Sequence, residues 1–270
     1  CISTFHGTYN FRGYLKKLYN SVMLRMNGTI AISNFIHDHI KKNYSFYKNP
    51  IQTIERGIDL NFFDPKSISK NDIKNAIKKY DLKEDSIKIL LPARVTEWKG
   101  HLTLVDAVSQ LLEKKILNIE VLFFGPDQNK LLKEKIKNSI RHKNLQHIIK
   151  FYGPSDKMNL IYALSDIVVS SSTDPEAFGR VSIEAQAMGK LIIASAHGGS
   201  QETIIEGKTG YLYSPKEPSE LMKKISSVID QKKYCSNEMS SLAIEHIKSN
   251  YGKDKMCKKT LEFYQEIISQ

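Results

Sequence analysis

One stretch, residues 166–202, restricts the fold more than any other. An apolar run at 166–170 has the length of a buried strand and ends in a polar loop holding Asp174, Pro175 and Glu176. Phe178-Gly179 opens a helix whose apolar positions, Val181, Ile183, Ala185 and Met188, carry it to a stop at Gly189. A second apolar run at 191–194 then breaks at His197-Gly198-Gly199. Strand, loop, helix and strand in this order close as parallel strands joined by a crossover helix. Ligands of such sheets bind at the carboxyl ends of the strands. Gly179 frees backbone N–H groups at a helix start, where the dipole favours an anion.

The same alternation runs along most of the chain. Helices are predicted at 72–80, 101–115, 130–141, 156–164 and 219–229, with two more to the end. Strands are predicted between them at 87–91, Ile119–Phe124, 147–152 and Tyr211–Tyr213. Ahead of these lie strands at 1–5, 29–32 and 51–55, and a helix capped by Ser33-Asn34 that reaches residue 44. The loop from Arg56-Gly57 to Asp64-Pro65 is rich in turn residues and reads as a linker. Tyr14, Leu15, Leu18, Tyr19, Val22, Met23 and Met26 recur at helical spacing among Arg12, Lys16, Lys17 and Arg25. That stripe reads as core packing rather than a membrane face. The fold class that follows is α/β, a doubly wound parallel sheet.

A chain of 270 residues accommodates one large domain and part of a second. Its 41% hydrophobic and 26% charged residues suit a globular protein, and no apolar run approaches the roughly 18 residues of a membrane span. Cys1, Cys235 and Cys257 show no disulfide or metal spacing, which points to a reducing compartment. The net charge of +11 fits an anionic partner or, equally, a solvated lysine-rich surface. No nucleic-acid partner is expected, because basic and aromatic residues do not interleave in any known binding motif. No signal sequence precedes Cys1, and the chain reads as beginning inside a larger product.

Chemistry concentrates after the strands. Arg94 and Lys99 follow the strand at 87–91, where a planar fork and a point charge would clamp a diphosphate; ordinary surface cations are the other reading. Glu176 and Glu184 carry acceptor oxygens suited to hydroxyl pairs, although Glu184 also stands four residues after Arg180 and fits a helical ion pair. Gly198-Gly199 with Glu202 forms either a loop that lets a ligand approach the backbone or a plain tight turn. His6 is a lone histidine at the end of the first strand. No cluster has metal-ligand spacing, and neither G-x-G-x-x-G nor a P-loop occurs, which counts against nicotinamide and P-loop chemistry.

Together these residues resemble the retaining glycosyltransferases of family 4, whose GT-B architecture pairs two Rossmann-like domains. The likeness runs from Thr4-Phe5-His6-Gly7 through Arg56-Gly57-Ile58-Asp59 to Thr209-Gly210-Tyr211. Its most specific parts are Arg94 with Lys99-Gly100, Glu176-Ala177-Phe178-Gly179 with Glu184, and Gly198-Gly199 with Glu202. The resemblance implies that residues 1–60 are the last part of an acceptor-side amino-terminal domain and 61–250 a nucleotide-sugar-binding Rossmann domain. Residues 251–270 would be a helix crossing back, with Met256, Leu261, Tyr264, Ile267 and Ile268 under-covered. It assigns Arg94 and Lys99 to the donor diphosphate, Glu176 to the donor sugar and Glu184 to the ribose. Phe178 and Gly179 would lend backbone donors, Gly199 would line the donor pocket, and His6 would face sugar and acceptor. The implied reaction moves a sugar with retention from a nucleotide diphosphate sugar, a co-substrate needing no cofactor or metal, to a glycan or lipid-linked acceptor. The nearest type builds bacterial lipopolysaccharide or capsular polysaccharide in the cytoplasm, in peripheral contact with anionic membrane. The rival reading is a remnant that binds nucleotide sugars without catalysis.

Overall fold

The computed structural model describes residues 1–9 and 13–269. Two all-parallel sheets organise them. In the first, β1 (Ile2–Phe5), β2 (Gly28–Ala31) and β3 (Ile51–Thr53) lie in chain order, with α1 (Tyr14–Ser21) and α2 (Asn34–Asn43) as crossovers. Ser33 caps α2 by accepting the Ile36 N–H at 3.1 Å. Helix α3 (Lys70–Lys79) follows, opened by a capping box between Ser69 and Asp72.

The second sheet is laid down by β4 (Ile87–Pro92), α4 (His101–Glu113), β5 (Ile119–Phe124), α5 (Lys130–His142), β6 (Ile149–Tyr152), α6 (Met158–Leu164), β7 (Ile167–Ser170), α7 (Arg180–Ala187), β8 (Leu191–Ser195), the short α8 (Ser200–Thr203) and β9 (Tyr211–Tyr213). Helices α9 (Pro218–Asp230), α10 (Asn237–Asn250) and α11 (Lys253–Ser269) complete the chain. Strand order is β6-β5-β4-β7-β8-β9. Its side chains alternate between two cores. Leu90, Leu122, Val168 and Ile192 face one, while Ile89, Val121, Ile167 and Ile193 face the other. Helices cover both faces, which is why these strands read as unbroken apolar runs. The chain winds outward from β4 to β6, then returns to place β7 on the other side of β4. Loops leaving β4 and β7 therefore lie side by side at the sheet's switch point. No helix among the described residues is long and apolar enough to cross a membrane.

One expectation is overturned and two gain detail. The stripe of α1 is not core: Tyr14, Leu15 and Tyr19 are 79%, 78% and 80% exposed. The α-helix also ends at Ser21, giving way to a 3₁₀ turn at Val22–Arg25; Arg12 lies outside the described residues. The linker, secondly, is not free. Ile58 exchanges backbone hydrogen bonds with Tyr251 and Lys253, and Asp59 pairs with Lys253 at 2.7 Å. Thirdly, α11 buries Phe263 against Ile30 and Ile54 of the first sheet, with Met256 and Ile267 beside it. The helix thus crosses back as expected, and Leu261, Tyr264 and Ile268 of its apolar face stay exposed while Met256 and Ile267 are covered.

Candidate active site

The site is built from the loops after β4, β7 and β8. After β4 the chain turns through a 3₁₀ segment, Glu97–Lys99, and reaches Gly100 with φ +69°. A Cβ there would stand 1.8 Å from the Ser171 carbonyl oxygen, so both the left-handed conformation and the close approach demand glycine. Ser171 Oγ donates to the carbonyls of Lys99 (3.1 Å) and Gly100 (3.0 Å), and the Thr173 N–H donates to the Trp98 carbonyl (2.7 Å). The loops after β4 and β7 are thereby stitched together.

This stitching brings Lys99 to Glu176. Their side chains pair at 2.5 Å, are 13% and 14% exposed, and lie with Lys99 Nζ 4.1 Å from the Trp98 ring centroid. Ser172 Oγ donates to the same Glu176 oxygen at 2.5 Å. Behind Ser172, the His197 Nε2–H donates to its carbonyl at 2.9 Å; burial holds this imidazole below its ordinary pKa. Gly179, at φ +87°, begins α7 without a side-chain cap. That leaves helix N–H donors beside Glu176 for other use.

A cavity of about 260 Å³ collects these groups, and its walls include His6, Arg56, Arg94, Lys99, Glu176 and the start of α7. It lies between the two sheets, with His6 and Arg56 contributed by the first. Arg56 donates to His6 Nδ1 at 2.9 Å, and a guanidinium cannot accept. The imidazole is therefore neutral with its proton on Nε2, and burial followed by the Arg56 charge holds its pKa down. Arg94 donates to Gln128 Oε1 at 3.4 Å and has no ion pair among the described residues.

Arg94 also lines a second cavity of about 280 Å³, walled by Phe124, Pro126, Pro154, Met158, Tyr162 and Glu184. Here Glu184 accepts from Tyr162 Oη and from Arg180, both at 2.9 Å. The predicted helical ion pair is thus present, and the carboxylate still borders the cavity. Burial raises the Glu184 pKa against the pull of Arg180, and raises that of the fully buried Tyr162 phenol as well.

Of the predicted residues, His6, Arg94, Lys99, Glu176, Phe178 and Gly179 share the first cavity and Glu184 borders the second. Gly199 lines neither. Its N–H donates to the Glu176 carbonyl at 2.8 Å, and a Cβ would stand 2.5 Å from Phe178 Cα, so it braces the loop from behind. Glu202 is likewise redirected: its carboxylate accepts the Asn34 and Phe35 N–H groups at 2.8 and 2.6 Å, capping α2 across the sheets. Arg56, Trp98, Ser172 and His197 escaped site assignment from the sequence; Arg56 carried a signal only in the Arg56-Gly57-Ile58-Asp59 run. Among the described residues no group of three or more His, Cys, Asp or Glu is placed to hold a metal ion.

Cations and acids gathered at the strand ends, in a cavity between two parallel α/β units, form a candidate site for an anionic ligand. Comparison with known proteins specifies the family. Residues 72–243 match the model for glycosyl transferases group 1, and residues 1–62 match that for glycosyltransferase family 4. The chain belongs to the group 1 glycosyltransferases. A crystal structure of a glycosyltransferase from Rickettsia africae is 36% identical with a TM-score of 0.90, covering 99% of this chain and 70% of that one. HepE of Anabaena in complex with UDP-glucose superposes with a TM-score of 0.86 at 21% identity, over 98% of this chain and 72% of that one, a likeness of fold. The lipopolysaccharide 1,2-N-acetylglucosaminetransferase of Salmonella typhimurium is 26% identical over 195 residues, 70% of this chain and 51% of the enzyme. The chain spans 51–64% of the length of curated relatives at that identity. Fold and neighbours agree on Rossmann-like GT-B architecture.

Proposed function

We propose that the chain carries the donor site of a retaining glycosyltransferase that moves a sugar from a nucleotide diphosphate sugar to a lipid-linked or glycan acceptor of the cell envelope, of lipopolysaccharide or capsular type. The observation that carries this reading is the first cavity, where Lys99, Arg94 and Arg56 converge with Glu176 and an uncapped helix start. Three cations and free N–H donors suit a diphosphate, and they supply the charge that a metal would otherwise provide to a departing nucleotide. Glu176 takes the donor-sugar hydroxyls and Glu184 the ribose, with the base against the apolar walls of the second cavity. His6 presents its Nε2–H toward sugar and acceptor. Transfer breaks the bond from the sugar's anomeric carbon to the phosphate oxygen and forms the bond to the acceptor oxygen on the same face. The acceptor's proton passes to the leaving phosphate, so no side chain serves as nucleophile. The reaction runs on the cytoplasmic side of the membrane. HepE's complex with UDP-glucose supports the ligand class, and the Salmonella enzyme supports the acceptor type.

The test is calorimetric titration with UDP, GDP and ADP without metal, followed by transfer assays on the sugar nucleotide of the base that binds. One nucleotide binds and its sugar nucleotide is turned over if the reading holds. Binding without turnover leaves the non-catalytic remnant, and no binding rejects the donor site.

A further inference from the structure

We propose that Arg180 is a further diphosphate-binding residue, one that leaves Glu184 for the phosphates as a ribose takes its place on the carboxylate. The inference rests on the donor-site reading above and adds to it a residue and an exchange. Arg180 stands where the two cavities meet. It lines the first with Arg56, Arg94 and Lys99, while its partner Glu184 lines the second. Their ion pair, at 2.9 Å, therefore joins one cavity to the other.

Little in the local structure favours an arginine at this position. It is the first residue of α7, where the helix dipole repels a cation. Its acid lies four residues toward the carboxyl end, the weaker order for a helical pair. Four cations line the first cavity against one acid, Glu176, and Lys99 already neutralises that acid. The two sides of the pair are also unequally held. Glu184 is 13% exposed, and its Oε2 accepts from the fully buried Tyr162 phenol, so the carboxylate is fixed. Arg180 is 60% exposed and meets Oε1 alone, a contact that contributes little. A diphosphate supplies what this position lacks. It brings negative charge to the cavity, and a planar guanidinium holds two phosphate oxygens at once. Lys99 on Glu176 repeats the arrangement a few residues away. Each acid is covered by a cation that phosphate oxygens can draw off, which leaves Glu176 to the sugar and Glu184 Oε1 to the ribose.

Calorimetry with inorganic pyrophosphate, with the nucleosides uridine, guanosine and adenosine, and with their diphosphates tests the exchange in the wild type, Arg180→Gln and Arg180→Lys. Arg180→Gln should weaken pyrophosphate about fivefold, the loss of one hydrogen-bonded contact at an exposed side chain. The nucleoside should bind unchanged or up to about twofold more tightly, because the helical pair no longer competes for Oε1. Arg180→Lys keeps the charge and should restore most of the pyrophosphate affinity. The melting temperature of Arg180→Gln should match or exceed that of the wild type, since the position opposes a cation. An arginine that serves only to hold Glu184 gives the reverse: pyrophosphate unchanged, the nucleoside weakened and the melting temperature lowered. That pattern would overturn the exchange and leave the donor site standing. Failure of the wild type to bind any of the diphosphates would overturn both.

Discussion

The two cavities share Arg94 but are built on opposite principles. The first draws its walls from both sheets and is filled with charge: Lys99 and Glu176 neutralise each other, with Arg56 and Arg94 close by. The second belongs to the second sheet alone, and its walls are flat and apolar around one half-neutralised acid, Glu184. Charge that can be redistributed is what a departing diphosphate requires, whereas fixed apolar shape with a single acceptor is what a nucleoside requires. On the proposed reading, one cavity handles the reacting bond and its neighbour handles identity. The Lys99–Glu176 pair adds a consequence. On the proposed reading, a phosphate that captures Lys99 also releases Glu176 for the sugar.

Breaking the first cavity should have the largest effect. Lys99→Ala should reduce transfer by about 10²–10³-fold, the range for loss of one donor aimed at developing charge. It should also weaken inorganic pyrophosphate and nucleoside diphosphate alike. Glu184→Ala should weaken the nucleoside diphosphate by about tenfold or more, from the ~1.5–3 kcal/mol of a hydrogen bond to a charged group, and leave pyrophosphate unchanged. Parallel calorimetry with both ligands separates the cavities. Equal losses on pyrophosphate in the two variants would show that the division is wrong.

The strand–helix framework was legible because the central strands of the second sheet are buried on both faces, so Ile119–Phe124 stands out with its limits unchanged, and the edge strand Tyr211–Tyr213 keeps its limits as well. The cap at Ser33 fixed the start of α2, whereas the Ser69 capping box, which starts α3 two residues before the predicted 72, was missed. Direction was not legible. Periodicity reports that α1 has an apolar face, but its partner decides where that face points, and here Ser21 and Lys17 claim the inside. Loop residues at strand ends were found by position. Ser172, His197 and Arg56 were not, since they reach the cavity only through contacts across 4, 25 and 50 residues. Glu202 misled because an acid beside a glycine pair looks the same whether it meets a ligand or caps α2.

A smaller effect sharpens the division inside the first cavity. Ser172 supports the Glu176 carboxylate but reaches no other group there, so Ser172→Ala should cost about 1 kcal/mol on the sugar nucleotide, roughly fivefold in affinity. Binding of the bare nucleoside diphosphate should be unchanged. If both ligands weaken together, Ser172 shapes the whole loop and Glu176 does not act on the sugar separately.

The smallest effect concerns protons, and the cavities again diverge. His101, buried at the start of α4 behind Lys99, has no hydrogen-bond partner among the described residues for either ring nitrogen and packs on Phe123. Burial, then the Lys99 charge, lowers its pKa from 6.5 to about 4. Between those values the unfolded chain binds the proton and the folded one does not, so stability falls as pH drops across the interval and levels off below it. The slope is on the order of 1 kcal/mol per pH unit. Glu184 works the other way: its raised pKa makes the folded chain the better proton acceptor, which favours folding as pH falls through the carboxylate range. Melting temperatures measured from pH 7 to 4 should therefore flatten in His101→Leu and fall more steeply in Glu184→Gln. Unchanged profiles in both would mean that neither burial is felt by the folding equilibrium, and that the cavities differ in ligand chemistry alone.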